Sequence, residues 1–129
     1  MKLPSSLLAF ALLLVSCSEH VIQYSDYLPA EASDVHLQKI KMGIDFAYYM
    51  KAKVDIDGFE AFKRRMELKP ATERFTPYSP DEISDWWHPK IKNKTFVREE
   101  YSKHSPSALS NIYWAIYEDG YLYFNHSNF

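Results

Sequence analysis

Cysteine and glycine are scarce in this chain, which has one cysteine and three glycines among 129 residues. A single cysteine excludes an intramolecular disulfide, so side-chain contacts alone must hold the fold together. Charges of both signs are interspersed and the net charge is −2, whereas a nucleic-acid-binding surface needs clustered lysine and arginine. The short basic stretch 90–94 is interpreted as a solvated loop. We therefore expect no nucleic-acid partner.

Sequence motifs for catalysis and metal binding are also missing. No two of the five histidines lie three or four residues apart, the spacing that places two metal ligands on one helical face. Asp55, Asp57 and Gly58 match part of a calcium loop, but its twelfth position is Met66 where a glutamate is needed. No Gly-x-Ser-x-Gly motif supports a hydrolase. We expect no metal, no cofactor and no catalytic residue, and a non-enzymatic role is favoured.

Apart from residues 7–15, which follow Lys2, the chain has no extended apolar run. As a helix this run would rise about 14 Å, against about 30 Å for the hydrocarbon core of a bilayer, so it is too short to span a membrane. A charged start, a short apolar run and a small residue before the cut are typical of an export signal. The stretch Leu14-Val15-Ser16-Cys17 resembles the lipobox of bacterial lipoproteins.

The lipobox resemblance implies that the Cys17 thiol carries lipid and that Cys17 becomes the first mature residue. It divides the chain into a signal peptide at 1–16, a lipid-anchored tether at 17–27 and a single domain at 28–129. Two or more acyl chains anchor a protein stably, so the membrane is an expected partner. The expected location is the bacterial cell envelope. Ser18, where an aspartate would signal inner-membrane retention, favours the outer membrane facing the periplasm.

Every even position over 44–56 is apolar or aromatic, and this period of two predicts a long strand with one buried face. The segment 35–42 is predicted to be a second strand, with Gly43 at the turn between them. Residues 95–101 are a further strand candidate. The chain ends in a predicted hairpin of 112–117 and 121–124, for which a three-residue loop is preferred because it gathers the apolar residues on one face.

Two helices are predicted between these strands. Asp57 and Glu60 form a capping pattern, followed by apolar residues at helical spacing, namely Phe59, Phe62 and Met66. The adjacent basic residues 63–65 are expected to face water. A second short helix is predicted at 80–87, capped by Ser79. Together these elements predict an α+β domain with a small antiparallel sheet packed by one main helix and closed by a C-terminal β-hairpin.

Trp86, Trp87 and His88 form the most unusual local cluster in the sequence. Adjacent tryptophans point about 100° apart on a helix, so both are hard to bury fully. One interpretation is a binding surface, because tryptophan is enriched at binding hot spots and on surfaces that stack against carbohydrate. The alternative is that one tryptophan closes the core while the other covers its edge beside Pro89.

The opening of the predicted domain, residues 28–35, resembles that of small uncharacterised bacterial lipoproteins. In these, a Leu-Pro…Ala…Val opening leads into a strand, a Phe-x-x-Phe helix and a Trp-Trp-x-Pro segment. Here Asp45, Phe59 with Phe62, and residues 86–89 follow in that order. The resemblance covers roughly two thirds of the chain after residue 16, and it implies no activity.

The function expected from these patterns is a membrane-anchored envelope lipoprotein whose domain binds another envelope component, either a protein or a glycan. An immunity or inhibitor protein is one form of this role. The alternative is an enzyme acting on cell-wall or lipid substrates through residues that only folding brings together.

Overall fold

The computed structural model describes residues 23–43, 45–72, 75, 83–91 and 93–129. Cys17, the predicted signal peptide and most of the predicted tether lie outside these ranges. The elements are a 3-10 helix at Tyr24–Tyr27, β1 at Ser33–Met42, β2 at Asp45–Lys53, α1 at Ile56–Met66, β3 at Lys69–Pro70, β4 at Phe96–Tyr101, β5 at Leu109–Glu118 and β6 at Tyr121–Asn128.

The described strands form one antiparallel sheet in the order β1-β2-β6-β5-β4-β3. Helix α1 covers one side of it, which we call the helix face. The segment 83–91 covers the other side, which we call the tryptophan face because it includes Trp86 and Trp87. The α+β architecture with one main helix and a C-terminal hairpin is confirmed.

The predicted strand at 44–56 is confirmed over 45–53 as β2, whereas Ile56 begins α1. The expectation of one buried face is wrong. Met50 and Ala52 point into the core beneath the helix, whereas Ala47 and Tyr49 point into a second core with Trp87. Both faces of β2 are covered because the sheet lies between two layers. The period of two thus identified the strand. Lys51 and Lys53, which end the second face, suggested that this face is solvent-exposed, although it carries part of the second core.

Helix α1 packs through Phe59, Phe62 and Met66, the predicted apolar stripe. Its N-cap is Asp55 and not Asp57 as predicted, because the Asp55 carboxylate accepts a hydrogen bond from the Gly58 amide at 2.7 Å. This bond satisfies an amide that has no partner inside the helix.

The expectation that all three basic residues 63–65 face water is also wrong for Lys63. Its Nζ lies 3.7 Å from the centre of the Phe96 ring and 2.9 Å from Glu60 Oε2. The ammonium therefore covers an aromatic ring at the edge of the core, while Arg64 and Arg65 are exposed.

The predicted second helix at 80–87 is wrong over its described part, 83–87, which forms turns. The Trp87 amide donates to the Ser84 carbonyl at 3.0 Å, the bond of a single turn. The segment is held over the sheet at both ends: the Ser84 amide donates to Gln38 Oε1 at 2.9 Å, and the Lys90 amide donates to Glu118 Oε2 at 2.8 Å. These bonds fix Trp86 and Trp87 above the sheet.

The preferred three-residue hairpin loop is wrong. Glu118 pairs with Tyr121 and Ile116 with Tyr123, so the turn contains only Asp119 and Gly120. Both turn residues have positive φ, 52° and 81°, as a type I′ turn requires. Both faces of this hairpin are buried, so gathering the apolar residues on one face does not determine its loop length.

Tyr24, within the segment 17–27 assigned to the tether, is buried on the helix face at 4 % exposure. Its ring lies 4.9 Å from that of Phe124, centre to centre. Within the described ranges, no helix combines the length and apolar character needed to cross a bilayer.

Candidate functional site

The two adjacent tryptophans lie in different environments. Trp87 is 4 % exposed and forms the centre of the core on the tryptophan face. Its ring meets those of Tyr49, Trp114 and Tyr123 at centre-to-centre distances of 5.1, 5.8 and 5.3 Å. Trp87 is therefore a structural residue, since rings in such edge-on contact contribute to the core beyond their buried area.

Trp86 is only partly buried, and it is held in place by two ring contacts. It stacks on His36 with centres 5.3 Å apart and planes at 20°, and it meets Trp87 edge-on at 6.1 Å. His88, the third residue of the predicted cluster, is exposed. Trp86 is thus packed against two rings while the residue keeps part of its surface accessible to solvent.

A bulge at the start of β1 positions the next residue of the site. Ser33 pairs with Lys53 and His36 with Lys51, so β1 contains one extra residue here, and Asp34 adopts a left-handed φ of 50°. A bulge of this kind redirects a side chain. The Asp34 carboxylate accepts from His36 Nε2 at 2.9 Å and from the Tyr121 hydroxyl at 3.0 Å.

Lys51 lies beside this carboxylate and is directly opposite His36 in the β1–β2 register. Its Nζ is 4.4 Å from the centre of the Tyr121 ring and 5.3 Å from that of Tyr123. We refer to Asp34, His36, Lys51, Trp86 and Tyr121 as the Trp86 site.

Hydrogen bonding dominates the electrostatics of the Trp86 site. The bond from His36, followed by the bond from Tyr121, lowers the pKa of Asp34, and the charge of Lys51 lowers it further. The same bond to Asp34 raises the pKa of Tyr121, because the neutral phenol is the donor. At neutral pH the site therefore presents a carboxylate, an ammonium group, a neutral phenol and an indole within one small area.

The chemistry of this arrangement suits binding. The carboxylate accepts hydrogen bonds, the ammonium group donates them, and the indole offers an apolar surface. The Asp34–His36 pair also has the form of an oriented general base. Among the described residues, however, no serine, threonine or cysteine side chain is hydrogen-bonded to His36, so the pair activates no nucleophile of the described chain.

A second polar cluster lies on the helix face around His126, which is 6 % exposed. Its Nδ1 accepts a hydrogen bond from the Tyr24 hydroxyl, its Nε2 donates to Asn111 Oδ1 at 2.8 Å, and Tyr113 stacks on the ring at 4.1 Å. Burial, with a smaller contribution from the Arg98 charge, lowers the pKa of His126 to about 4. The imidazole is thus neutral at pH 7, and its partners enclose it, so this cluster stabilises the fold.

An open groove of about 750 Å³ separates α1 from β3 and β4. Its charged lining includes Lys63, Arg64, Lys69 and Arg98 together with Glu60, Glu67 and Glu99. Arg98 is shared between Glu67 at 3.4 Å and Glu100 at 3.6 Å. Because both signs are mixed along its length, the groove does not select one class of charged ligand.

The sequence identified Trp86 but missed Asp34, His36, Lys51 and Tyr121. These residues are spread over three strands, and their meeting depends on strand pairing and on one bulge. One signal was present in the sequence. Residues two apart on a strand share a face, so His36, Gln38 and Ile40 lie together, and once β1 pairs with β2 they share the face of Lys51.

Among the residues that the structure describes, no group of three or more histidine, cysteine, aspartate or glutamate side chains is arranged to hold a metal ion. Comparisons of the chain with protein-family models, with curated proteins and with solved structures gave no match.

Proposed function

We propose that this protein is a lipid-anchored bacterial envelope protein whose domain binds another envelope component through the Trp86 site. The lipobox-like stretch that ends at Cys17 supports the anchor. The location that follows is the bacterial envelope, with the outer membrane facing the periplasm favoured by Ser18. The partner is an envelope protein or a glycan.

The observation that carries the binding role is the state of Trp86. Large aromatic side chains are ordinarily buried or used for contact, and Trp86 packs against two rings while still partly exposed. Its stacking partner His36 is hydrogen-bonded to Asp34 and lies opposite Lys51 in the sheet, and both charged groups keep hydrogen-bonding capacity. A preordered side chain loses little conformational entropy when a partner binds.

The anchor is tested by Cys17→Ser in cells of a bacterium that processes lipoproteins. The precursor should then remain uncleaved, and labelled palmitate should be lost from the protein, because serine has no thiol to acylate. Ser18→Ala is the matched control and should mature normally. Normal maturation and membrane fractionation of Cys17→Ser would contradict the anchor.

The binding role is tested with Trp86→Ala in the full-length anchored chain. Material that co-purifies with the wild type from envelope extracts should be lost, while the thermal unfolding curve stays close to wild type. Tyr101→Ala is the matched control, because Tyr101 is also an exposed aromatic residue, at 52 %, but lies on β4. Equal recovery with wild type and Trp86→Ala would overturn the proposal.

A second candidate function is an enzyme that acts on cell-wall or lipid substrates. It is favoured by the Asp34–His36 hydrogen bond, which orients an imidazole beside the partly buried ring of Trp86. His36→Gln should then abolish hydrolysis of purified cell wall or phospholipid. If neither substrate is turned over by the wild type, this candidate is rejected.

A further inference from the structure

From the chemistry of the Trp86 site we infer that its ligand is a neutral glycan. This inference rests on the proposed function and specifies the partner. The first argument is the shape of the aromatic surface. Trp86 is stacked on His36 at an interplanar angle of 20° and braced edge-on by Trp87. A fixed, partly exposed indole matches the flat C–H face of a pyranose ring, which has little other apolar surface.

The second argument is the mixture of donors and acceptors at the rim. Each Asp34 oxygen accepts one hydrogen bond within the site, from His36 or from Tyr121, and a carboxylate oxygen has lone pairs for two. Asp34 therefore keeps acceptor capacity, and its side chain is 52 % exposed. The Lys51 ammonium group has three donors, and among the described residues it forms no ion pair within 4.0 Å.

These groups discriminate between ligand classes. Asp34 and Lys51 carry opposite charges in the same small area, so their fields largely cancel and the site offers little net attraction to a ligand of either sign. A hydroxyl group donates and accepts at once, so it satisfies both side chains without a net charge of its own. A neutral chain of hydroxyl-bearing sugars therefore fits the stacking surface and the rim together.

The rigidity of the acceptor supports the same ligand class. Asp34 has a left-handed backbone in the β1 bulge and is fixed by two hydrogen bonds. Sugar hydroxyls exchange hydrogen bonds with water for hydrogen bonds with protein, so the net gain is small unless the protein groups are already in place. Weak binding that depends strongly on Trp86 and Asp34 is therefore expected.

The test uses NMR titration of the ¹⁵N-labelled Cys17→Ser chain in detergent micelles. The substitution removes the lipid, and the detergent keeps the uncleaved apolar segment 7–15 in solution. The probe is the neutral tetrasaccharide of N-acetylglucosamine. Saturable shifts are expected at the Trp86 indole N–H and at the amides of 34–36. Trp86→Ala should weaken the dissociation constant at least tenfold, and Asp34→Asn, which keeps the side-chain size, should weaken it several-fold. Trp86→Phe, which retains a ring, should retain most of the affinity.

Tyr101→Ala serves as the control and should bind the tetrasaccharide as the wild type does. The inference is overturned if the tetrasaccharide causes no saturable shifts, or if Trp86→Ala binds it as tightly as the wild type. Because Trp86→Phe replaces the ring conservatively, its binding remains interpretable even if the alanine variant unfolds. If the tetrasaccharide fails but Trp86→Ala still loses a protein partner in envelope extracts, the ligand is a protein: the proposed function stands and the glycan inference falls. If the tetrasaccharide does not bind and Trp86→Ala loses no partner from envelope extracts, both the glycan inference and the binding role fall.

Discussion

Acidification from pH 7 to pH 4 should weaken this fold through one residue, His126. Its ring is enclosed by Tyr24, Asn111 and Tyr113, and burial lowers its pKa to about 4. In the unfolded chain a histidine titrates near 6.5. Between these two pH values the unfolded state holds a proton that the folded state does not, so stability falls as the pH falls.

The size of this effect follows from the difference between the two pKa values. Each unit corresponds to about 1.4 kcal/mol, so a loss of roughly 3 kcal/mol accumulates between pH 6.5 and pH 4. The contribution is fully present above pH 6.5, and it falls no further below pH 4. Since domains are typically stable by about 5–15 kcal/mol, this single histidine accounts for a substantial share of acid sensitivity.

The assay is urea unfolding of wild type and His126→Gln at intervals between pH 7.5 and pH 4. Other groups titrate over the same range, so the informative quantity is the difference in free energy of unfolding between the two proteins. The advantage of the wild type should shrink by roughly 3 kcal/mol on acidification. His104→Gln, at an exposed position, should follow the wild type. Parallel curves for wild type and His126→Gln, or an NMR titration of His126 near pH 6.5, would refute the reasoning.

Two further predictions concern the packing of the sheet and the cap of its helix. Trp87→Ala should cost about 3–5 kcal/mol of unfolding free energy by denaturant titration, because it removes the centre of the tryptophan-face core; a loss no larger than that of Trp86→Ala would contradict this. Asp55→Ala should lower the free energy of unfolding by about 1 kcal/mol through loss of the bond to the Gly58 amide. Asp57→Ala, the control, should lower it less. A larger loss from Asp57→Ala than from Asp55→Ala would show that Asp57 is the cap.

Local sequence patterns predicted the elements of this fold more reliably than their environment. The period of two along β2 is a property of any strand, so it was visible without knowledge of the packing. Whether one face or both are buried depends on Trp87, which lies more than thirty residues away in sequence and is held over the sheet by Gln38 and Glu118. No local pattern in β2 encodes that layer.

In the C-terminal hairpin, too, the local sequence pattern was a better guide than the assumed burial. The Asp119-Gly120 pair is a local signal for a two-residue turn, and the turn has that form. The expectation of a longer loop came from a global assumption of one buried face. Where a local turn signal and an assumed burial pattern disagreed, the backbone chemistry of the turn prevailed.

The Trp86 site could be predicted only in part for a related reason. Adjacent tryptophans are visible in any sequence, and their division into one buried and one partly exposed ring was one of the two interpretations considered. Asp34, His36 and Tyr121 meet only because β1 carries a bulge and β6 pairs with β2. The identity of a single residue does not indicate which strands will pair or where a bulge will form.

The most direct test of the account is site-specific photo-cross-linking of the full-length chain in the cells that produce it. A benzophenone side chain placed at exposed Asp85, beside Trp86, should give adducts that disappear when Trp86→Ala is added. The same probe at exposed His104 should not give those adducts. Adducts at position 85 that persist with Trp86→Ala, or identical adducts from both positions, would contradict a binding role for the Trp86 site.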